Sequence, residues 1–289
     1  MWEEYISPRT IQEALEILQY YKGQARIVAG GTDLILELKD RMREVKCMVD
    51  ITEIKALRKI EQDGEEIKIG AGVTHSQIAS STLIQKQATV LADAASAVGS
   101  PQIRNQGTIV GNVVNAQPAA DTAVALFALE AKVDIVTSSG TKCVPVEDLY
   151  DGVGISKVDS TAEIVTFVRF KSLGSSQGSA FVRLAQRKAL ALPILNVAVV
   201  VTVQDERFKE AKIVVAPVAP IPFRSREAEG ILRGAPIGLE SIRPAAEAAT
   251  GEAHPRDSAL RGSAEYRKKM VKMLVKRALE QATERARQK

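Results

Sequence analysis

Apolar residues recur at two different spacings along the chain, and the changes of spacing divide it. Ile11, Leu15 and Leu18 fall three to four residues apart, which predicts a helix over Ile11–Tyr20. Thr10 precedes it and Glu13 follows three residues later, the arrangement of a capping box. A short strand at Ala25–Ala29, a glycine pair, a helical stretch Leu34–Asp40 and a strand Cys47–Ile51 come next. Strand alternating with helix over residues 1–55 predicts a small parallel β–α–β lobe. Over residues 56–175 the runs become short and alternating. Leu57–Ile60 and Glu66–Gly70 flank Asp63–Gly64, a hairpin signal, and Lys132–Thr137 and Ile164–Phe170 read as further strands. Helices are predicted at His75–Ser80, Gln87–Val98 and Ala119–Leu129, the last with Pro118 just before it. This second lobe reads as a mainly antiparallel sheet with inserted helices.

Gly and Ser cluster at Gly174–Gly178, and a third segment, 176–289, begins there. Asn196–Gln204 and Ala211–Ala216 alternate as strands around the charged turn Asp205–Lys209. Helices are predicted at Arg224–Leu232, Ile242–Ala249 and Ser263–Arg287, the last with Tyr266, Met270, Met273, Leu274, Arg277 and Ala278 near one face.

Composition narrows the class. The 289 residues are 45% hydrophobic and 26% charged, enough for real cores and too ordered a balance for a disordered chain. The net charge of +4 is uneven. Residues 256–289 carry eleven basic and four acidic side chains, so the rest of the chain, with 28 basic and 31 acidic, is slightly acidic. A basic tail on an acidic body argues against nucleic-acid recognition. Cys47 and Cys143 are the only cysteines, too few for an iron–sulfur cluster, and His75 and His254 are the only histidines. Both cysteines have apolar neighbours and read as buried small residues; His75 reads as structural or solvent-facing. Met1–Trp2–Glu3–Glu4 is unlike a signal peptide and no apolar run reaches 18 residues. A cytoplasmic protein without a membrane span is the expectation.

Two glycine turns carry the candidate chemistry. Ala29–Gly30–Gly31–Thr32–Asp33 joins a strand to a helix start. Paired glycines let successive backbone N–H groups face outward, where they can hold phosphate oxygens, and the helix start adds its positive end. A plain tight turn explains the same residues. The glycines are adjacent and no Gly-Lys-Ser/Thr ending follows, so neither the dinucleotide fingerprint nor the P-loop applies. The second segment runs from Gln102 through Gly107, Thr108, Gly111 and Asn112 to Asn115 and Asp121. Its amides and hydroxyls fit either the lining of an extended ligand such as FAD or a capped surface loop, and Asp121 fits either a helix cap or a flavin hydroxyl contact.

Together these segments resemble the FAD-binding subunit of the xanthine dehydrogenase family of molybdenum hydroxylases, which includes aerobic carbon monoxide dehydrogenase. The family's Ala-Gly-Gly-Thr-Asp-Leu turn is matched by Ala29–Leu34, its Thr-Ile-Gly-Gly-Asn turn by Thr108–Asn112, and its Asn-x-x-Pro-x-x-Asp segment by Asn115–Asp121. The likeness extends to Gly70–Ser76, Ser179–Asn196 and Glu265–Leu279. It implies an α+β fold: a two-lobed FAD-binding domain of the vanillyl-alcohol-oxidase/MurB (PCMH) type, then a small C-terminal domain of antiparallel sheet and helices. It implies that Ala29, Gly30, Gly31, Thr32 and Asp33, with Thr108 and Gly111, surround the FAD pyrophosphate. Asn112 and Asp121 would line the ribityl side, and Ile164 would meet the flavin through its backbone. Phe181 stands where the family often has Tyr, with Arg183 just beyond; Val110 replaces the first of the paired family glycines.

The resemblance further implies function and partners. A small subunit with [2Fe-2S] clusters and a large molybdopterin-binding catalytic subunit would complete a heterotrimer or a dimer of heterotrimers. Electrons would reach FAD here and leave to NAD+ or another acceptor, so this chain needs no catalytic acid–base pair. A free-standing flavin oxidoreductase and a scaffold that has lost FAD are the competing readings.

Overall fold

The computed structural model describes residues 2–187 and 189–288. They form two compact units whose segments alternate along the chain. The first comprises the residues up to Gln77, Pro101–Ala116 and Ala131–Lys171; the second comprises Ile78–Ser100, Gln117–Glu130 and the chain from Ser172 onward.

In the first unit, helix Ile11–Tyr21 starts at Thr10, whose Oγ1 accepts the Glu13 amide at 3.1 Å. The Glu13 carboxylate reaches back to the amide of Arg9, one residue earlier than a standard capping box. The helix buries Ala14, Leu15 and Leu18 and packs on strands Ala25–Val28 and Cys47–Asp50. Cys47–Asp50 is the middle of three parallel strands, with Glu4–Ile6 and Ala25–Val28 at its sides. Val28 and Met48 join Leu38 in a small core against Leu34 and Ile35.

A five-stranded antiparallel sheet follows, in the order Ile60–Asp63, Glu66–Gly70, Ile164–Lys171, Lys132–Thr137, Gly140–Pro145. Ile67, Ile69, Val133, Ile135, Val168 and Phe170 are buried on one face. On the other, Lys68 lies 4.0 Å from the centre of the Phe167 ring and Arg169 lies 2.8 Å from Asp134. One apolar and one polar face is the usual economy of an antiparallel sheet.

The second unit is built on antiparallel strands Gln177–Ala185, Pro193–Gln204, Arg207–Ala216 and Phe223–Arg224. Asp205 and Glu206, at φ 51° and 55°, form the tight turn of its long hairpin. Ala180, Val182, Val197, Val199, Ile213 and Val215 pack against helices Arg226–Leu232, Leu239–Glu252 and Ala264–Arg287. Helices Thr89–Ala97 and Asp121–Ala128 pack on the same sheet, and Ser179 Oγ, on the alternate face of its strand, accepts the Val90 amide at 3.1 Å.

Several expected elements change. Leu57 lies in a 3-10 turn, Lys55–Arg58, and the strand starts only at Ile60, because the Leu57 carbonyl turns in against Gly70 and accepts the Gly72 amide. The helix expected over Gln87–Val98 is present as Thr89–Ala97, and a further helix, Thr82–Gln87, precedes it across a break at Ala88. The helix expected from Ala119 starts at Asp121. The glycine-rich stretch at 174–178 runs into a strand, and Gly178 sits inside it because a Cβ there would lie 1.9 Å from the Ala282 carbonyl oxygen. The last helix buries Arg267, Val271, Leu274, Val275, Ala278, Leu279 and Ala282, while Tyr266 and Met273 are exposed. Its seam is rotated from the expected one, since the small alanines face the sheet and let the backbones approach. Cys47 is buried, but Cys143 is exposed on edge strand Gly140–Pro145. Among the described residues, no helix is long and apolar enough to cross a membrane.

Candidate functional site

Strand Ala25–Val28 runs out into Ala29–Gly30–Gly31–Thr32–Asp33 and then helix Leu34–Lys39. Gly31 takes φ +66°, a left-handed conformation that favours glycine. Gly30 is required for a different reason. A Cβ on it would lie 2.2 Å from the Gln106 carbonyl oxygen and 2.9 Å from Gly107 Cα. The first turn therefore lies backbone to backbone on the second, and a side chain would hold them apart.

The second turn is more ordered than its polar sequence implies. Helices Pro101–Gln106 and Ile109–Val114 form most of the polar segment that the sequence leaves as ligand lining or a capped loop. The Gly107 carbonyl accepts the His75 amide at 3.1 Å, and the Ile109 amide donates to Val73 at 3.2 Å. Thr108 caps the second helix, its Oγ1 accepting the Gly111 amide at 3.1 Å. Val110 lies within this helix with its side chain buried, so no glycine conformation is demanded of it. Asn112 is half-buried on the same helix, and Ile164 is buried at the start of its strand, paired with Val136.

The donor set around the first turn is open. Among the described residues, no protein acceptor takes the amides of Gly30, Gly31, Thr32 and Asp33, and the Val110 amide is equally unused. Thr32 Oγ1 reaches only Asp33 Oδ2, at a long 3.5 Å. Asp33 occupies the cap position of its helix without capping it. Four consecutive amides and a hydroxyl without strong internal partners match the chemistry of an oxyanion ligand.

His75 lies beneath the second turn. It is buried, and a Cβ on Gly107 would lie 3.4 Å from its Cδ2 and 3.5 Å from Thr32 Oγ1. Its Nδ1 reaches no hydrogen-bond partner among the described residues. Burial, then the positive Arg104, push its pKa down to about 4, so the imidazole is neutral at pH 7. A depressed folded pKa gives stability that is full above the unfolded value near 6.5 and is lost as pH falls toward about 4. His75→Leu is expected to flatten the decline of the thermal midpoint between pH 6.5 and 4.5, a linkage on the order of 3 kcal/mol in the wild type. An unchanged slope in His75→Leu would refute the neutral buried imidazole.

The second unit holds the other expected residues. Asp121 is the first residue of helix Asp121–Ala128, but its carboxylate is not used as a cap. Oδ1 instead accepts from Arg183 Nε at 3.1 Å and from Asn196 Nδ2 at 2.9 Å. Arg183 and Asn196 are directly opposed on neighbouring strands, so their side chains share a face. Arg183 also donates to the Ala191 carbonyl. Burial raises the Asp121 pKa to about 6 and outweighs the opposing Arg183 charge and the two hydrogen bonds. Phe181, two residues before Arg183, is half-buried on the same strand face.

Sequence reasoning missed Asn196 as a site residue. Its signal was present: one amide inside the otherwise apolar run Pro193–Val201. The concavity of the first unit lined by Arg9, Thr10, Glu53 and Lys55 does not include the glycine turns. Among the described residues, no cluster of His, Cys, Asp and Glu could hold a metal ion.

Comparison with known proteins gives these features a context. Residues 2–170 match the family model of the FAD-binding domain in molybdopterin dehydrogenase, and residues 180–282 match the CO dehydrogenase flavoprotein C-terminal domain. The nicotinate dehydrogenase FAD-subunit of Eubacterium barkeri is 35% identical over 243 residues, 83% of this chain and 82% of that one. Carbon monoxide dehydrogenase from Hydrogenophaga pseudoflava contains a chain that superposes with a TM-score of 0.92 at 29% identity, covering 99% of this chain and 98% of that one. Quinoline 2-oxidoreductase from Pseudomonas putida 86 gives 0.90 at 26% identity, covering 99% and 98%.

Proposed function

Because the chain belongs to the family of FAD-binding medium subunits of xanthine dehydrogenase- and CO dehydrogenase-type molybdenum hydroxylases, with their PCMH-type FAD-binding fold and C-terminal sheet-and-helix domain, we propose that it holds one FAD and serves as the electron-transfer subunit of such an enzyme. When bound, the flavin would supply the redox chemistry, as a relay between [2Fe-2S] clusters of a small partner and NAD+ or another acceptor. Substrate oxidation is assigned to a large molybdopterin subunit, and the assembly to a heterotrimer or its dimer.

The observation that carries the reading is the apposition of the two glycine turns with their unused amides. Gly30, Gly31, Thr32 and Asp33 are assigned to pyrophosphate oxygens through their backbone N–H groups, with Ala29 leading the strand into the turn. Thr108 and Gly111 shape the facing turn: the Thr108 hydroxyl is spent on the Gly111 amide, which leaves the Val110 amide as its open donor. Asn112 and Ile164 are assigned to the flavin side. In the second unit, Asp121 is assigned to a cofactor hydroxyl, with Arg183 holding it and Phe181 offering an apolar surface in place of the family's phenol. These residues orient the cofactor and exclude water; none is asked to move a proton.

The test is direct. The purified chain is expected to be yellow, with bands near ~450 nm and about one FAD released per chain on heating. A chain that stays colourless after FAD addition and co-expression with its partners would overturn the assignment.

A further inference from the structure

Asp121 spends one oxygen twice and the other not at all. Arg183 and Asn196 both donate to Oδ1, while Oδ2 meets no donor among the described residues. A carboxylate has room for about four hydrogen bonds, so Oδ2 remains a full acceptor. Asn196 has no other visible employment. It is completely buried, its Nδ2 goes to Asp121, and its own Oδ1 is buried without a partner. An amide at this position of an apolar strand is expensive, because an unmade hydrogen bond in the interior is not compensated by water. Its neighbours on the same face, Ala198 and the directly opposed Ala216, are buried and apolar, so packing does not explain the residue.

From this we infer that Asn196 is a positioning residue for the cofactor site: with Arg183 it fixes the rotation of the Asp121 carboxylate so that Oδ2, and not Oδ1, is presented to a hydroxyl of the bound cofactor. The inference rests on the FAD reading above and deepens it. Asn196 touches no ligand in this arrangement. Arg183 alone gives a single contact about which the carboxylate can turn. A second donor to the same oxygen, from the facing strand, removes that freedom. Holding a group in its bound orientation before the ligand arrives is what raises affinity.

The experiment uses the full chain, stripped of flavin and refilled, with FAD and with FAD analogues that each lack one ribityl hydroxyl. Asn196→Leu is expected to bind FAD about tenfold more weakly than wild type, the size of one well-placed hydrogen bond. For one analogue, the one missing the hydroxyl that Oδ2 accepts, wild type and variant are expected to bind equally. Asp121→Asn should show the same pattern, and the double variant should be no weaker than Asp121→Asn alone. Equal weakening toward FAD and every analogue would make Asn196 a merely structural residue and overturn the inference. So would no weakening at all. A wild-type chain that takes up no FAD is a different result: it removes the cofactor reading itself.

Should Asn196→Leu not fold, Asn196→Asp keeps the volume. It sets a second carboxylate against Asp121, and the only charged side chain acting on Asp121 among the described residues is Arg183. FAD affinity in this variant is expected to be lost at pH 7.5 and regained toward about pH 5.5, where the pair holds a proton between them. A flat pH profile in that variant would also overturn the inference.

Discussion

Gly30→Ala is expected to purify without flavin and to melt well below the wild type. The added methyl would sit 2.2 Å from the Gln106 carbonyl oxygen, where ordinary contacts begin near 3.4 Å. The obstacle is backbone on a helix end, not a side chain that can rotate away. Overfilling a packed site typically costs about 1–3 kcal/mol, and backbone-to-backbone crowding belongs at the upper end. Stability is the smaller loss. To relieve the clash the first turn must move off the second, and the four free amides at Gly30–Asp33 move with it. A displacement near 1 Å is enough to spoil hydrogen bonds whose useful range is about 2.7–3.2 Å. Gly64→Ala is the matched control. Gly64 has φ +58° but open space around its Cβ, so it should lose only about 1 kcal/mol of conformational preference and remain yellow. The readouts are the ratio of flavin to protein absorbance and the thermal midpoint. Full flavin occupancy in Gly30→Ala would mean that the apposition of the turns is not what holds the cofactor.

Much of the fold could be read because local pattern and tertiary packing agree. The parallel β–α–β unit, the Asp63–Gly64 hairpin and the long last helix each have a periodicity that survives in the structure. What was misread depends on contacts between residues distant in sequence. Leu57 and Gly178 look like a strand residue and a loop residue until the Gly70 and Ala282 backbones arrive beside them. The polar stretch around Gly107 reads as a loop or a ligand lining, yet Thr108 caps a short helix there. The rotation of the last helix was hidden because its alanines carry almost no hydrophobic signal, although they make the closest approach. For the candidate site, the first glycine turn announced itself by composition. Its reason for being glycine, the Gln106 carbonyl, is 76 positions away in sequence and leaves no local mark. Asp121 reads from sequence as either a helix cap or a flavin hydroxyl contact; the cross-strand pair that holds it leaves no local mark.

Asp121→Leu and Asp121→Asn should separate two things that the buried carboxylate does. Arg183 keeps only 12% of its side-chain surface exposed, and Asp121 is the one carboxylate paired with it among the described residues. Leucine leaves that guanidinium with the Ala191 carbonyl and leaves the Asn196 amide with nothing. Removing one partner of a buried ion pair costs about 3–5 kcal/mol, so Asp121→Leu should lower the melting transition of the second unit by roughly 6–20 °C. Asparagine keeps the volume and an acceptor oxygen, and should fall by much less. The pH dependence has the opposite sign to that of His75. The folded Asp121 carboxyl, raised to about 6, holds its proton more firmly than the unfolded group. Its contribution is therefore complete below pH 3.8 and is lost as pH rises through about 6, a linkage on the order of 3 kcal/mol. Asp121→Asn cannot titrate, so the gap between it and the wild type should change between pH 4 and 6.5 and stay constant above. Calorimetry across that range would detect it. A constant gap at every pH, or an Asp121→Leu chain as stable as the wild type, would mean that Arg183 does not depend on Asp121, and that the carboxylate is not held in the way the hydrogen bonds indicate.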